Sequence, residues 1–110
     1  FHLGKHPLSR AEVTRLGLPA HFAGYVRRLH HLNQTLGLRT GLWADMLYFL
    51  PEAIPQLPAG LIAYDRYYYP LRRHPRVEFF NFAARDLSAP LRRQGIAYWG
   101  CPMNGSFRHL

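Results

Sequence analysis

Gly60-Leu61-Ile62-Ala63-Tyr64-Asp65 follows a proline-bracketed stretch and reads as a short buried strand opened by a glycine turn. The same order returns at Gly41-Leu42-Trp43-Ala44-Asp45 and at Gly95-Ile96-Ala97-Tyr98-Trp99-Gly100. Strands that are apolar on both faces and alternate with helices are the pattern of a parallel sheet with right-handed crossovers. The chain therefore reads as α/β, with strands over residues 41–46, 61–65 and 96–100 and a fourth candidate at Phe1–Leu3. A closed (β/α)8 barrel takes about 250 residues. A chain of 110 residues supplies three to four parallel βα units, a partial TIM barrel.

The intervening segments carry helix signals. Ser9 and Glu12 have capping-box spacing and predict a helix over residues 10–16, ended by Gly17 and Pro19. Residues 20–36 place Phe22, Tyr25, Val26, Leu29, Leu32 and Leu36 at helical spacing, with Arg27, Arg28, His31 and Gln34 opposite, and Gly37 as the stop. Pro51 predicts a short helix over 52–56. A further helix is expected over residues 77–87, through Phe79, Phe80, Ala83 and Leu87, with a restart near Pro90 capped by Ser88.

Composition narrows the function. The chain is 48% hydrophobic and 15% aromatic, which suits a single folded core. No apolar run approaches the roughly 18 residues of a membrane span, so no membrane partner is expected. Cys101 is the lone cysteine, which excludes an internal disulfide and mildly favours a reducing, cytoplasmic setting. The formal charge is +8, and thirteen of the fourteen basic residues are arginines. They come as scattered pairs such as Arg27-Arg28, Arg72-Arg73 and Arg92-Arg93, which argues for a solvated surface over a nucleic-acid footprint. The seven histidines have no metal-ligand spacing, Cys101 reads as a small buried hydrophobe, and there is no phosphate-binding loop. No cofactor or metal is expected.

In parallel α/β folds, ligands bind beyond the C-terminal ends of the strands. Asp45 and Asp65 fall there, at equivalent places in consecutive units. A carboxylate at such a rim can hydrogen-bond sugar hydroxyls or do acid–base work, although aspartate also caps turns. Trp43, Tyr64, Tyr67 to Tyr69, Tyr98 and Trp99 cluster near the same ends. Aromatic faces stack on pyranose rings, so carboxylates and aromatics at one rim suit a carbohydrate, and core packing accounts for some of these rings.

These motifs resemble bacterial glycoside hydrolase family 20 proteins, the β-N-acetylhexosaminidase-like enzymes. Trp43-Ala44-Asp45-Met46 is similar to the family's W-S/A-D-M segment. Ile54-Pro55-Gln56-Leu57-Pro58 and Ala63-Tyr64-Asp65-Arg66-Tyr67-Tyr68 are similar to its I-P-x-x-P and Y-W-D-Y-Y segments. Gly100-Cys101-Pro102-Met103-Asn104-Gly105-Ser106-Phe107 resembles a later G-G-x-x-x-W-N-G-F loop, with Met103 where the family has tryptophan.

The resemblance covers most of residues 20–110. It implies a TIM barrel, of which this chain is roughly the fourth to seventh βα units. It also implies metal-free hydrolysis of terminal N-acetylhexosamine from glycans, with the substrate's acetamido oxygen as nucleophile and an Asp-Glu pair to orient it and supply the proton. By motif match, Trp43, Asp45, Asp65, Tyr68, Trp99 and Asn104 would bind substrate. No Asp-Glu pair occurs in the 110 residues. His2-Leu3-Gly4 matches a stretch that follows the pair in the family, which puts the pair upstream of Phe1; alternatively Lys5-His6 replace it. These residues alone are then expected to form a pocket wall without a general acid.

Two other readings stay open. A small basic module with interleaved aromatics could bind nucleic acid or acidic glycans. A non-catalytic barrel piece could be retained for carbohydrate binding. A partial barrel also leaves sheet edges and apolar helix faces uncovered, so association with the remainder of a barrel or with a second copy is expected.

Overall fold

In the computed structural model, residues 3–66 and 86–101 are described. Two helices come first, α1 (Pro7–Leu16) and α2 (Leu18–Thr35). They are followed by β1 (Gly41–Trp43), α3 (Asp45–Phe49) and a 3-10 helix (Pro51–Gln56). Then come β2 (Ile62–Asp65), α4 (Ser88–Arg93) and β3 (Ala97–Gly100). The three strands form one parallel sheet in the order β1-β2-β3. The chain is α/β, as the repeated glycine–strand pattern predicts.

The glycines before β2 and β3 have a shared cause. Gly60 and Gly95 both hold positive φ, 86° and 75°, a conformation that side chains with a Cβ rarely adopt. The Gly60 N–H donates to the Gly95 carbonyl at 2.9 Å, which ties the two strand entries together. Gly41 is not their counterpart. It lies within β1, and a Cβ there would come 2.6 Å from Cε2 of Tyr64, so glycine is needed for space.

The core is built from one face of the sheet, α2 and the shorter helices. Ala23 and Val26 of α2, Leu47 of α3 and Ala53 and Ile54 of the 3-10 helix pack with Leu57, Leu61, Ala63, Leu91 and Ile96. Leu42 and Tyr98, which are in register with Ala63, pack against this cluster. Burying each leucine contributes about 1.5–3 kcal/mol.

Several local expectations change. The first strand stops at Trp43; Asp45 and Met46 belong to α3 instead. Asp45 in its first turn interacts favourably with the helix dipole, and Leu47 is fully buried. The Ser9–Glu12 capping box does not form. His6 caps α1 by accepting from the Leu8 N–H at 3.2 Å, Pro7 takes the first turn, and Glu12 turns to His21, 2.7 Å away. Pro19 opens α2 rather than ending α1.

The buried side of α2 is also rotated from the predicted stripe. It carries His21, Ala23, Val26 and His30, whereas Tyr25, Leu29, Leu32 and Leu36 are exposed. The helix rests on the 3-10 segment, where Arg27 donates to the Gln56 carbonyl at 2.6 Å. His30 and Asn33 both hydrogen-bond the Thr40 hydroxyl, at 3.2 and 3.0 Å. The predicted stop at Gly37 is made, with the Leu38 N–H closing on the Asn33 carbonyl and the Gly37 N–H on that of Gln34.

Ser88 begins α4 rather than capping it; Asp86 accepts from the Ser88 N–H at 2.9 Å. Leu3 is in a turn, and the rest of the candidate strand at Phe1–Leu3 lies outside the described residues, as does the expected helix over 77–87 up to residue 85. Among the described residues, no helix is long and apolar enough to cross a membrane.

Candidate functional site

Parallel register sorts the rim residues onto two faces. Trp43, Tyr64 and Trp99 are register partners across β1, β2 and β3. Their rings stand side by side, with centroids 6.0 Å apart for Trp43–Tyr64 and 6.5 Å for Tyr64–Trp99, tilted by 58° and 55°. They lie on the face opposite the Leu42–Ala63–Tyr98 row, because successive strand residues alternate sides. Trp43 is 53% and Trp99 60% exposed, large values for residues in a parallel sheet.

Asp65 goes the other way. It shares the Ala63 side of β2 and is only 3% exposed. Its Oδ2 accepts from the Tyr48 hydroxyl at 2.6 Å and from the Tyr98 hydroxyl at 2.5 Å. One carboxylate oxygen thereby links α3, β2 and β3. Burial, and then the hydrogen bond to Asp65, push the Tyr48 phenol far above its ordinary ionisation range. This cluster is a buried tie beneath the rim; its phenols are held as donors.

Asp45 stands one residue beyond the register position of Asp65, in α3, and has a different partner. Its Oδ2 lies 3.1 Å from Nη2 of Arg66, and both side chains are partly exposed. Oδ1 of Asp45 is buried with no hydrogen-bond partner. The Arg66 guanidinium also lies over the Trp43 ring, 5.3 Å from its centroid. Such a contact contributes about 0.5–1 kcal/mol at an exposed site. The Asp45–Arg66 pair thus borders the aromatic row at its β1 end.

Of the residues expected from sequence, Trp43, Asp45 and Trp99 gather around the open face, and Asp65 is buried behind it. Tyr68 and Asn104 lie outside the described residues. Tyr64, expected among the rim aromatics, stands between the two tryptophans, and Arg66 and Tyr48 are the additions. The signal for Tyr64 was present: it stands four residues after Gly60, as Trp99 stands four after Gly95. Nothing in the sequence announces that Tyr48 reaches Asp65. Among the described residues, no group of three or more His, Cys, Asp or Glu side chains could hold a metal ion.

Compared with known proteins, the chain matches no family model, and neither a curated protein nor a solved structure is significantly similar to it.

Proposed function

We propose that this chain is the substrate-holding part of a family 20-like glycoside hydrolase barrel and binds N-acetylhexosamine-containing glycan at the C-terminal ends of its strands. The observation that carries the reading is the Trp43–Tyr64–Trp99 row. Three rings in register across three parallel strands form an aromatic surface at the end of the sheet where α/β proteins bind ligands. Parallel sheets are ordinarily covered on both faces, and the interior of a barrel is where a face like this one would be enclosed. The resemblance of the strand-end motifs to family 20 supplies the substrate class.

Binding and cleavage separate in this reading. The residues that acid–base chemistry would require as an Asp-Glu pair are not in the sequence. Asp65, with Oδ2 shared by two phenols, supports the rim, and Asp45 and the aromatic row meet the sugar.

Trp43 and Trp99 are the chain's two tryptophans, so intrinsic fluorescence reports on this face directly. Chitotetraose is expected to quench or shift the emission saturably, and Trp43→Ala and Trp99→Ala to weaken binding by about tenfold each, in line with about 1–1.5 kcal/mol for a stacked ring. The 110-residue chain is expected to leave a chromogenic N-acetylglucosaminide uncleaved. Unchanged emission up to millimolar chitotetraose would rule the reading out.

A further inference from the structure

From the position of Arg66 we infer that the glycan held at this face is acidic: the site takes a carboxylate-bearing sugar, a uronic acid next to the hexosamine, with Arg66 receiving the carboxylate. This rests on the carbohydrate reading above and adds the chemistry of the ligand.

Arg66 is fixed from two sides. Asp45 holds Nη2 at 3.1 Å, and the guanidinium lies over the Trp43 ring. A guanidinium has five N–H donors in a planar fork, and the contact with Asp45 engages one nitrogen at one corner. The side chain retains 36% of its surface, so a ligand can reach it. A group arriving on that side of the row meets the cation as it meets the Trp43 ring.

Planar, bidentate recognition of a carboxylate is the geometry in which arginine surpasses lysine, and holding the fork in advance lowers the ordering cost of binding. Asp45 is the nearby opposing charge. It is matched by Arg66 in the free protein, and the chain as a whole carries a formal charge of +8, which favours anions. A neutral sugar would stack on the rings and leave the fork with Asp45 as its one anionic contact.

The test is a tryptophan-fluorescence titration with two tetrasaccharides of equal length at about 50 mM salt. One alternates glucuronate with N-acetylglucosamine, and the other is chitotetraose. The acidic tetrasaccharide is expected to bind about tenfold more tightly. Arg66→Gln is expected to bring the two affinities to parity, whereas Arg93→Gln, which removes the same charge from the far end of α4, keeps the preference.

Equal binding of the two tetrasaccharides by the unaltered chain overturns the acidic specificity while leaving the carbohydrate reading in place. Binding of neither overturns both. A preference that survives Arg66→Gln, or that Arg93→Gln abolishes equally, shows diffuse attraction to a polyanion and also overturns the assignment. Should Arg66→Gln change the far-ultraviolet circular dichroism, Arg66→Lys carries the test: it keeps the charge, lacks the fork, and is expected to lose most of the preference.

Discussion

On one side of the sheet, Leu42, Ala63 and Tyr98 lie in register and join the core; on the other, Trp43, Tyr64 and Trp99 lie in register one residue further along, and both tryptophans are more than half exposed. The residue types on the two sides overlap, since each has aromatic rings from β3 and aliphatic or aromatic neighbours from β1 and β2. What separates them is parity along the strand, because each step of one residue changes the side. The same rule divides the two aspartates. Asp65 ends β2 on the covered side and is locked by two tyrosines, whereas Asp45, one register position further on, has left the strand and pairs with Arg66 at the surface. A buried residue therefore carries the fold here, and a residue across the sheet from it is left exposed.

That contrast is broken most directly by truncating one residue on each side. Leu61 is fully buried, and Leu61→Ala is expected to cost about 2–5 kcal/mol through lost burial and the cavity it leaves. Trp99→Ala, at 60% exposure, is expected to cost under about 1 kcal/mol while weakening glycan binding. Urea midpoints of the two variants give the answer. If Trp99→Ala is as damaging as Leu61→Ala, the aromatic row belongs to the core, and the division of the faces fails.

The aspartates give a finer comparison. Asp65→Asn keeps the shape but removes the charge that both phenols donate to, and charge-assisted hydrogen bonds contribute about 1.5–3 kcal/mol each. Because the amide oxygen can still accept, the expected loss is about 2–3 kcal/mol in all. A loss under about 0.5 kcal/mol in the urea midpoint would mean that the tyrosine tie does not hold the rim together.

The tie also predicts how stability depends on alkaline pH. The folded-state pKa of Tyr48 is raised, from an ordinary value of 10.0, chiefly by burial. Below about pH 10, folded and unfolded chains are both protonated at this phenol and the stability is intact. Above it the unfolded chain releases the proton and the folded chain does not, so stability falls as pH rises, by up to about 1.4 kcal/mol per pH unit. Tyr48→Phe is expected to lower stability at neutral pH by about 1 kcal/mol and to flatten this alkaline slope. An equally steep slope in Tyr48→Phe would assign it to other groups.

The parallel sheet was legible from the spacing of Gly60 and Gly95 ahead of apolar runs, because a positive-φ glycine at a strand entry leaves a strong local signal. The same pattern misled at Gly41, where the glycine answers to the Tyr64 ring across the sheet, a long-range cause with no local trace. The supposed equivalence of Asp45 and Asp65 went with it. The orientation of α2 was also beyond reach: leucines and aromatics occupy more than one stripe of that helix, and periodicity cannot choose which stripe meets the 3-10 segment. The candidate site was legible as a set of residues, with Trp43, Asp45 and Trp99 at one rim. Its division into a buried tie and an open face depends on a one-residue register that only the paired strands reveal.

The smallest expected effect falls on Asp45. Its pair with Arg66 is partly exposed on both sides, and such pairs contribute about 0–1 kcal/mol. Oδ1 of Asp45 has no partner although it is buried, so the carboxylate bears a desolvation cost that a neutral amide would lessen. Asp45→Asn is therefore expected to leave the urea midpoint within about 0.5 kcal/mol of the unaltered chain, and the contrast with Asp65→Asn is the measurement of interest. Its effect on binding should exceed its effect on stability, because one of the two contacts that hold the Arg66 fork loses its charge and the ligand must then do more of the ordering. Were Asp45→Asn to cost as much stability as Asp65→Asn, both carboxylates would be structural, and the role of substrate contact would pass from the aspartates to the aromatic row and Arg66 alone.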